Sequence, residues 1–182
     1  MLMSKVATAK LVGVNEPSAA DIVAVFNQCF AQAYAVEMRG GAYEPLYLPA
    51  TLDKPAELIF REDFPASALH EAAHWCIAGE QRRNSPDFAY TYIAAPRSDA
   101  QQALFFAAEL RTQALESVFA EAANVIFNPS ADNLTVDVAA FASAIAQYRV
   151  KTDEWLNTQA GGRALTFCQA LTELKEVNRI HG

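Results

Sequence analysis

Ala66-Ser67-Ala68-Leu69-His70-Glu71-Ala72-Ala73-His74-Trp75-Cys76-Ile77-Ala78-Gly79 is the stretch on which the reading of this chain turns. Asp63-Phe64-Pro65 before it reads as a turn, Ala and Leu favour helix within it, and Gly79 is a natural stop. The spacing predicts a helix over Ala66–Ala78. Four residues of helix turn through about 400°, so His70 and His74 lie about 40° apart on one face, one turn apart along the axis. Two imidazoles so placed can bind one metal ion. Glu71, about 100° around the helix, stands beside such an ion rather than on it. The chain has three histidines in all, and finding two of them in an HExxH pattern by chance is improbable.

Two imidazoles leave a metal site one protein ligand short. His181 is penultimate and unsuited to a fixed site. Glu80 stands six residues after His74, where an extended motif would carry a third His, and Ile77 replaces the Gly of that motif. Glu109, 35 residues after His74, sits in Phe106-Ala107-Ala108-Glu109-Leu110, where a carboxylate is costly to bury unless paired or ligating. Glu116 shares nearly the same helix face at i+7 and competes with it. Trp75 and Cys76 rotate off the metal face and read as core. The residues leave three chemistries open. One is a zinc hydrolase, peptidase or ribonuclease, in which Glu71 activates water. Another is a site of two His and one carboxylate, as used by non-haem Fe(II) enzymes to activate O₂. The last is a binding module stabilised by a structural metal. His and carboxylate accept Fe, Zn, Mn and Ni alike.

Outward from this helix the chain alternates helix and strand signals. Ile22, Val25, Phe26, Cys29 and Phe30 mark an amphipathic helix after Asn15-Glu16-Pro17-Ser18. Gly40-Gly41 reads as a loop. Leu46–Leu48 between prolines and Ala56–Phe60 read as strands, and Phe88, Tyr90 and Tyr92 alternate as a third. Gln81–Pro86 reads as a polar loop. Ser98 or Asp99 can cap a long helix over 100–127, closed by Asn128-Pro129-Ser130. Two further helices are predicted over 136–148 and 165–178, with Trp155 and Gly161-Gly162 between them. The expectation is an α/β (α+β) domain over 15–182, with a small mixed sheet and about five helices. The HExxH helix lies centrally, the long helix packs against it, and residues 1–14 form a flexible tail.

Composition removes several classes. Fourteen Lys and Arg against 21 Asp and Glu give a net charge of −7, which argues against a generic nucleic-acid binder. Alanine makes up roughly a fifth of the 182 residues, favouring helix. No run reaches the roughly 18 apolar residues that a membrane span needs. Cys29, Cys76 and Cys168 are odd in number and widely spaced, so a disulfide framework is not expected and a reducing cytoplasm is.

A longer pattern adds to this. Glu44–Ala50, Ala66–Gly79 with Arg82-Arg83, Asp87–Tyr90, Glu109 with Gln113-Ala114-Leu115, and Asp132-Asn133-Leu134 together resemble the elongation factor P hydroxylase family, over roughly residues 20–135. The resemblance implies a small α/β fold similar to a bacterial metal-dependent ribonuclease. It also implies a metal-dependent oxidoreductase that hydroxylates the β-lysylated lysine of elongation factor P. The implied metal ligands are His70, His74 and Glu109, with Glu71 catalytic, one divalent ion (Fe(II) expected) and O₂ as co-substrate. No HxD motif of a 2-oxoglutarate site is present. Elongation factor P is expected to be acidic, so docking on this acidic chain calls for a local basic surface. Arg82, Arg83, Arg97 and Arg111 are its candidates. A monomer that binds neither nucleic acid nor membrane is expected.

Overall fold

The computed structural model describes residues 16–89, 97–131, 134 and 136–181, with the backbone alone for His181. The expected tail and the predicted strand residues Tyr90 and Tyr92 lie outside the described residues, as does the side chain of His181. Six helices and a three-stranded mixed sheet are present among the described residues, in the order α1 (Ala19–Tyr34), β1 (Val36–Ala42), β2 (Leu46–Leu48), β3 (Ala56–Arg61), α2 (Pro65–Ile77), α3 (Glu80–Arg83), α4 (Asp99–Ala123), α5 (Val138–Leu156) and α6 (Gly162–His181).

The starts of the helices follow local chemistry. Ser18 caps α1 in a reciprocal box with Asp21, Ser98 caps α4 with Gln101, and Asp137 caps α5 through the amide of Ala140. α2 carries Pro65 in its first turn, where a missing N–H costs nothing. α4 ends earlier than expected. Asn124, left-handed at φ 62°, closes it before Asn128 is reached. Trp155, expected in a connecting segment, falls in the last turn of α5.

The sheet differs most from expectation. β3 is central, with β1 parallel on one side and β2 antiparallel on the other. Gly40-Gly41, expected as a loop, lies inside β1, where the register with β3 slips between Arg39 and Ala42. A side chain on Gly40 would strike the carbonyl of Glu62 and the ring of Phe60, and Gly41 has φ +91°. The glycine pair therefore builds a bulge into a strand. Asn27 of α1 holds this strand in place, bonding both the amide and the carbonyl of Met38. Phe88, expected in a third strand, sits instead in a tight turn over Pro86–Ala89, and residues 81–83 are helical rather than loop.

α2 is central, packed on α1, β3, α4 and α6. Trp75 anchors it, 1% exposed, with its ring 4.8 Å from Phe30, 5.3 Å from Phe26 and 5.4 Å from Tyr34. Truncating an aromatic so buried costs about 3–5 kcal/mol. The free carbonyls at the end of α2 are taken up by two guanidiniums. Arg163 donates to Cys76 and Ala78, and Arg83 donates to Ala78. Both cations also lie over the Trp75 ring, at 5.1 and 5.6 Å. Burial pushes the Cys76 thiol up to about 12 despite the nearby Arg163 and Arg83, consistent with a packing role. No helix among the described residues is long and apolar enough to cross a membrane.

The glycine pair before α6 gives a direct test of this packing. A Cβ on Gly161 would lie 2.2 Å from the Trp155 carbonyl oxygen and 2.7 Å from Leu156 Cα, whereas one on Gly162 would meet nothing within 4 Å. Gly161→Ala should destabilise by about 1–3 kcal/mol. Gly162→Ala, at a helical φ/ψ of −55°/−39°, should be neutral or stabilise by up to about 1 kcal/mol. Urea unfolding midpoints check both.

Candidate metal centre

α2 and α4 meet along a polar seam. On α4, Glu109, Thr112, Gln113 and Glu116 recur at i, i+3, i+4 and i+7, so one face of an Ala-, Leu- and Phe-rich helix is polar. Thr112, Gln113 and Glu116 are buried on it. Against this face α2 turns His70 and His74. His70 meets Glu116, while His74 meets Thr112 and Glu109, so the two helices run in opposite directions.

The geometry separates two glutamates that the sequence left in competition. Glu116 accepts a hydrogen bond from His70 Nδ1 at 2.8 Å. It lies on the far side of that ring from His74. This leaves His70 Nε2 facing His74 Nε2 at 3.1 Å, with Glu109 Oε1 at 3.8 Å from the latter. His70, His74 and Glu109 each offer one donor atom, all within 4.8 Å of one another, and this group could hold a metal ion. Two imidazole nitrogens and one carboxylate oxygen suit a borderline divalent ion. Glu80 opens α3, is exposed, and is not part of this group.

Each donor is itself held. Gln113 donates to Glu109 Oε2 at 3.2 Å and is fixed by two hydrogen bonds with the backbone of Ser130, one donated and one accepted. That directs the other carboxylate oxygen toward His74. Phe88 lies parallel to the His74 ring at 6.5 Å and stacks on Tyr47 at 4.1 Å. Asp87, Phe88 and Ala89 all have positive φ, between 46° and 57°. For residues other than glycine each such position costs on the order of 1 kcal/mol or more. The turn is held by Asp87 accepting from the Tyr47 amide and by Arg82 donating to the Phe88 carbonyl. Thr112, Gln113 and this turn are site elements that the ligand motif does not announce. Polar residues recurring at the helical period in an apolar helix are the sequence signal for the first two, and Gln113 is also among the residues that carry the family resemblance.

Burial pushes His70 down, but its hydrogen bond to Glu116 and the charges of Glu116, Glu71 and Glu109 outweigh that and raise it to about 10. Burial, the His70 charge and Arg82 hold His74 well below the ordinary imidazole range. His70 Nε2 and His74 Nε2 face each other at 3.1 Å, and His74 Nδ1 faces Thr112 Oγ1 at 3.4 Å. Burial raises Glu71 to about 7; His70 opposes this, and Glu109, Glu116 and Asp87 add to it.

The centre opens into a cleft of about 960 Å³. Its lining carries four carboxylates, Glu44, Glu71, Asp87 and Glu109, against two guanidiniums, Arg61 and Arg97. Tyr47, Phe88, Phe105 and Ala108 supply apolar wall, and Tyr43 and Leu104 at the rim are 85% and 74% exposed. Of the four arginines considered for docking, Arg97 lines this cleft. Arg82 and Arg83 bond backbone carbonyls, and Arg111 lines a different cavity.

Residues 25–181 match a family model described as Elongation factor P hydroxylase. The elongation factor P lysine hydroxylase of Haemophilus influenzae (strain ATCC 51907 / DSM 11121 / KW20 / Rd) is 46% identical over 115 residues, which is 63% of this chain and 65% of that protein. The match thus spans a little under two thirds of the relative's length. With the family model matched over most of its residues, this chain belongs to the elongation factor P hydroxylase family.

Proposed function

We propose that this chain is a metal-dependent hydroxylase acting on the β-lysylated lysine of translation elongation factor P, with Fe(II) as its ion and O₂ as co-substrate. The observation that carries this reading is the His70–His74–Glu109 donor set, which adjoins an acidic cleft in a chain of this family. Such an ion, held by two imidazoles and one carboxylate with positions left open, supplies O₂ activation. The residues supply the rest. Glu116 fixes the His70 ring so that Nε2 faces the ion. Gln113 holds Glu109, and Phe88 lies parallel to the His74 ring. Glu71 stands in the cleft beside the ligands and titrates near neutrality, so it can hold or give up a proton at the reacting end of the substrate. A lysine extended by a second lysyl group is long, apolar along its stems and cationic at its amines. Aromatic walls suit the stems, and the carboxylates of Glu44 and Asp87 suit the amines. The exposed Tyr43 and Leu104 offer apolar contact for a protein substrate, with Arg97 as its basic partner.

The decisive experiment is the intact mass of elongation factor P from cells with and without this chain. A gain of one oxygen atom on the lysylated form, dependent on the chain, is expected. Cleavage of a peptide or RNA that is sensitive to chelator and consumes no O₂ would favour hydrolysis instead.

Three variants check the roles. Glu109→Ala should fold, by circular dichroism, yet bind less than one Fe(II) per chain. Glu71→Gln should keep its metal and lose about a hundredfold or more of hydroxylation rate. Metal uptake at pH 7–8 must displace a proton from His70, which Glu116 above all raises to about 10. Apparent affinity should therefore rise with pH, approaching tenfold per unit below that value. Calorimetry in buffers of different ionisation enthalpy should count close to one proton released. Glu116→Gln removes the group that raises His70 most. It should release fewer protons, flatten the pH slope and cost about 10–100-fold in affinity at high pH.

A further inference from the structure

A second cavity, of about 80 Å³, lies between α4 and α5 at the end of α2 and shares no lining residue with the metal cleft. Ile77 and Leu115 give it apolar lining. The rest of its character comes from donors. Tyr148, Lys151 and Trp155 stand at i, i+3 and i+7 on one face of α5, and Arg111 faces them from α4. The Arg111 guanidinium lies 5.3 Å from the Trp155 ring centre, and the Lys151 ammonium 5.5 Å from that of Tyr148. These ring contacts position the cations but satisfy none of their N–H groups.

No carboxylate lines this cavity. In a chain of net charge −7 that is unusual company for two cations. Arg39, Arg61, Arg149 and Arg179 each pair with a glutamate, and Arg83 and Arg163 bond the carbonyls at the end of α2. Arg111 and Lys151 have neither kind of partner among the described residues, and the Tyr148 hydroxyl and Trp155 indole N–H donate to no described residue either. Half-buried Arg111, exposed Lys151, Tyr148 and Trp155 thus line a space large enough for a few water-sized groups. We propose that this cavity is a binding site for a small oxyanion, of the phosphate or carboxylate class. Arg111 and Lys151 supply charge-assisted hydrogen bonds, and Trp155 and Tyr148 complete the shell.

Trp155 makes the site observable. The chain has two tryptophans, and Trp75 is in the core. In ¹⁵N-labelled full-length protein the two indole N–H resonances are assigned by the one that Trp155→Phe removes. Inorganic phosphate and acetate are titrated separately, each against sodium chloride at matched ionic strength. The expected result is a saturable shift of the Trp155 resonance while that of Trp75 stays in place. Arg111→Gln, and separately Lys151→Gln at an exposed side chain, should weaken it about tenfold or more. Saturation by phosphate alone assigns the phosphate class, and saturation by acetate alone the carboxylate class. No saturable shift beyond that of chloride overturns the proposal. So does a shift unchanged in both Gln variants while Trp75 reports an intact core.

Discussion

The hydrogen bond from His70 Nδ1 to Glu116, at 2.8 Å, is the constraint on which the centre depends. It joins half-buried His70 of α2 to buried Glu116 of α4, where a carboxylate left unpaired would be costly. Forming it fixes the rotation of each helix about its own axis. With that rotation set, His74 is brought to Thr112 and Glu109, and the outer nitrogens of both imidazoles point to one place. The same bond explains why His70 and His74 titrate in opposite directions although they sit one turn apart on one helix. One has a buried anion at its back, and the other has the resulting cation at its front.

The rest of α2 keeps this seam in position. Trp75 is one residue past the second histidine and so points away from the metal face, into the cluster with Phe26, Phe30 and Tyr34. The helix is held on one side by aromatic packing and at its end by Arg83 and Arg163. The adjacent basic residues after the motif thus serve the helix that carries the two histidines and the turn beside it. Arg83 is spent on a carbonyl of α2, and Arg82 on the turn that sets Phe88 against His74.

That turn shows where strain is placed. Three consecutive residues without glycine adopt positive φ, and they stay there because a carboxylate, a guanidinium and a ring stack each hold one part of them. In return the cleft gains a flat aromatic wall beside one donor and a carboxylate, Asp87, on its lining. Strain held by surrounding contacts beside a donor set is the pattern expected where geometry has been selected for function rather than for stability alone.

The sequence by itself determined what depends on local periodicity and capping. His70 and His74 share a face because four residues make slightly more than one helical turn. Ser18 and Ser98 start their helices because their side chains can take a free amide, and Glu109 and Glu116 fall on one line because seven residues make nearly two turns. The family pattern was legible too, in the residues around the motif. Tertiary structure decided which glutamate lies within reach of both imidazoles and which bonds the back of His70, since both satisfy the same spacing and only the position of α4 along α2 distinguishes them. It also decided that Gly40-Gly41 is a strand bulge rather than a loop, because the space Gly40 leaves is filled by Glu62 and Phe60, some twenty residues later in the chain. Phe88 left the alternating pattern of a strand for a left-handed turn because its partners, Tyr47 and His74, are far away in sequence. Arg111, close to Glu109 in the chain, faces another cavity because two residues of helix turn a side chain through about 200°. Local rules fix which residues share a face; what each face meets is fixed only when the other elements pack against it.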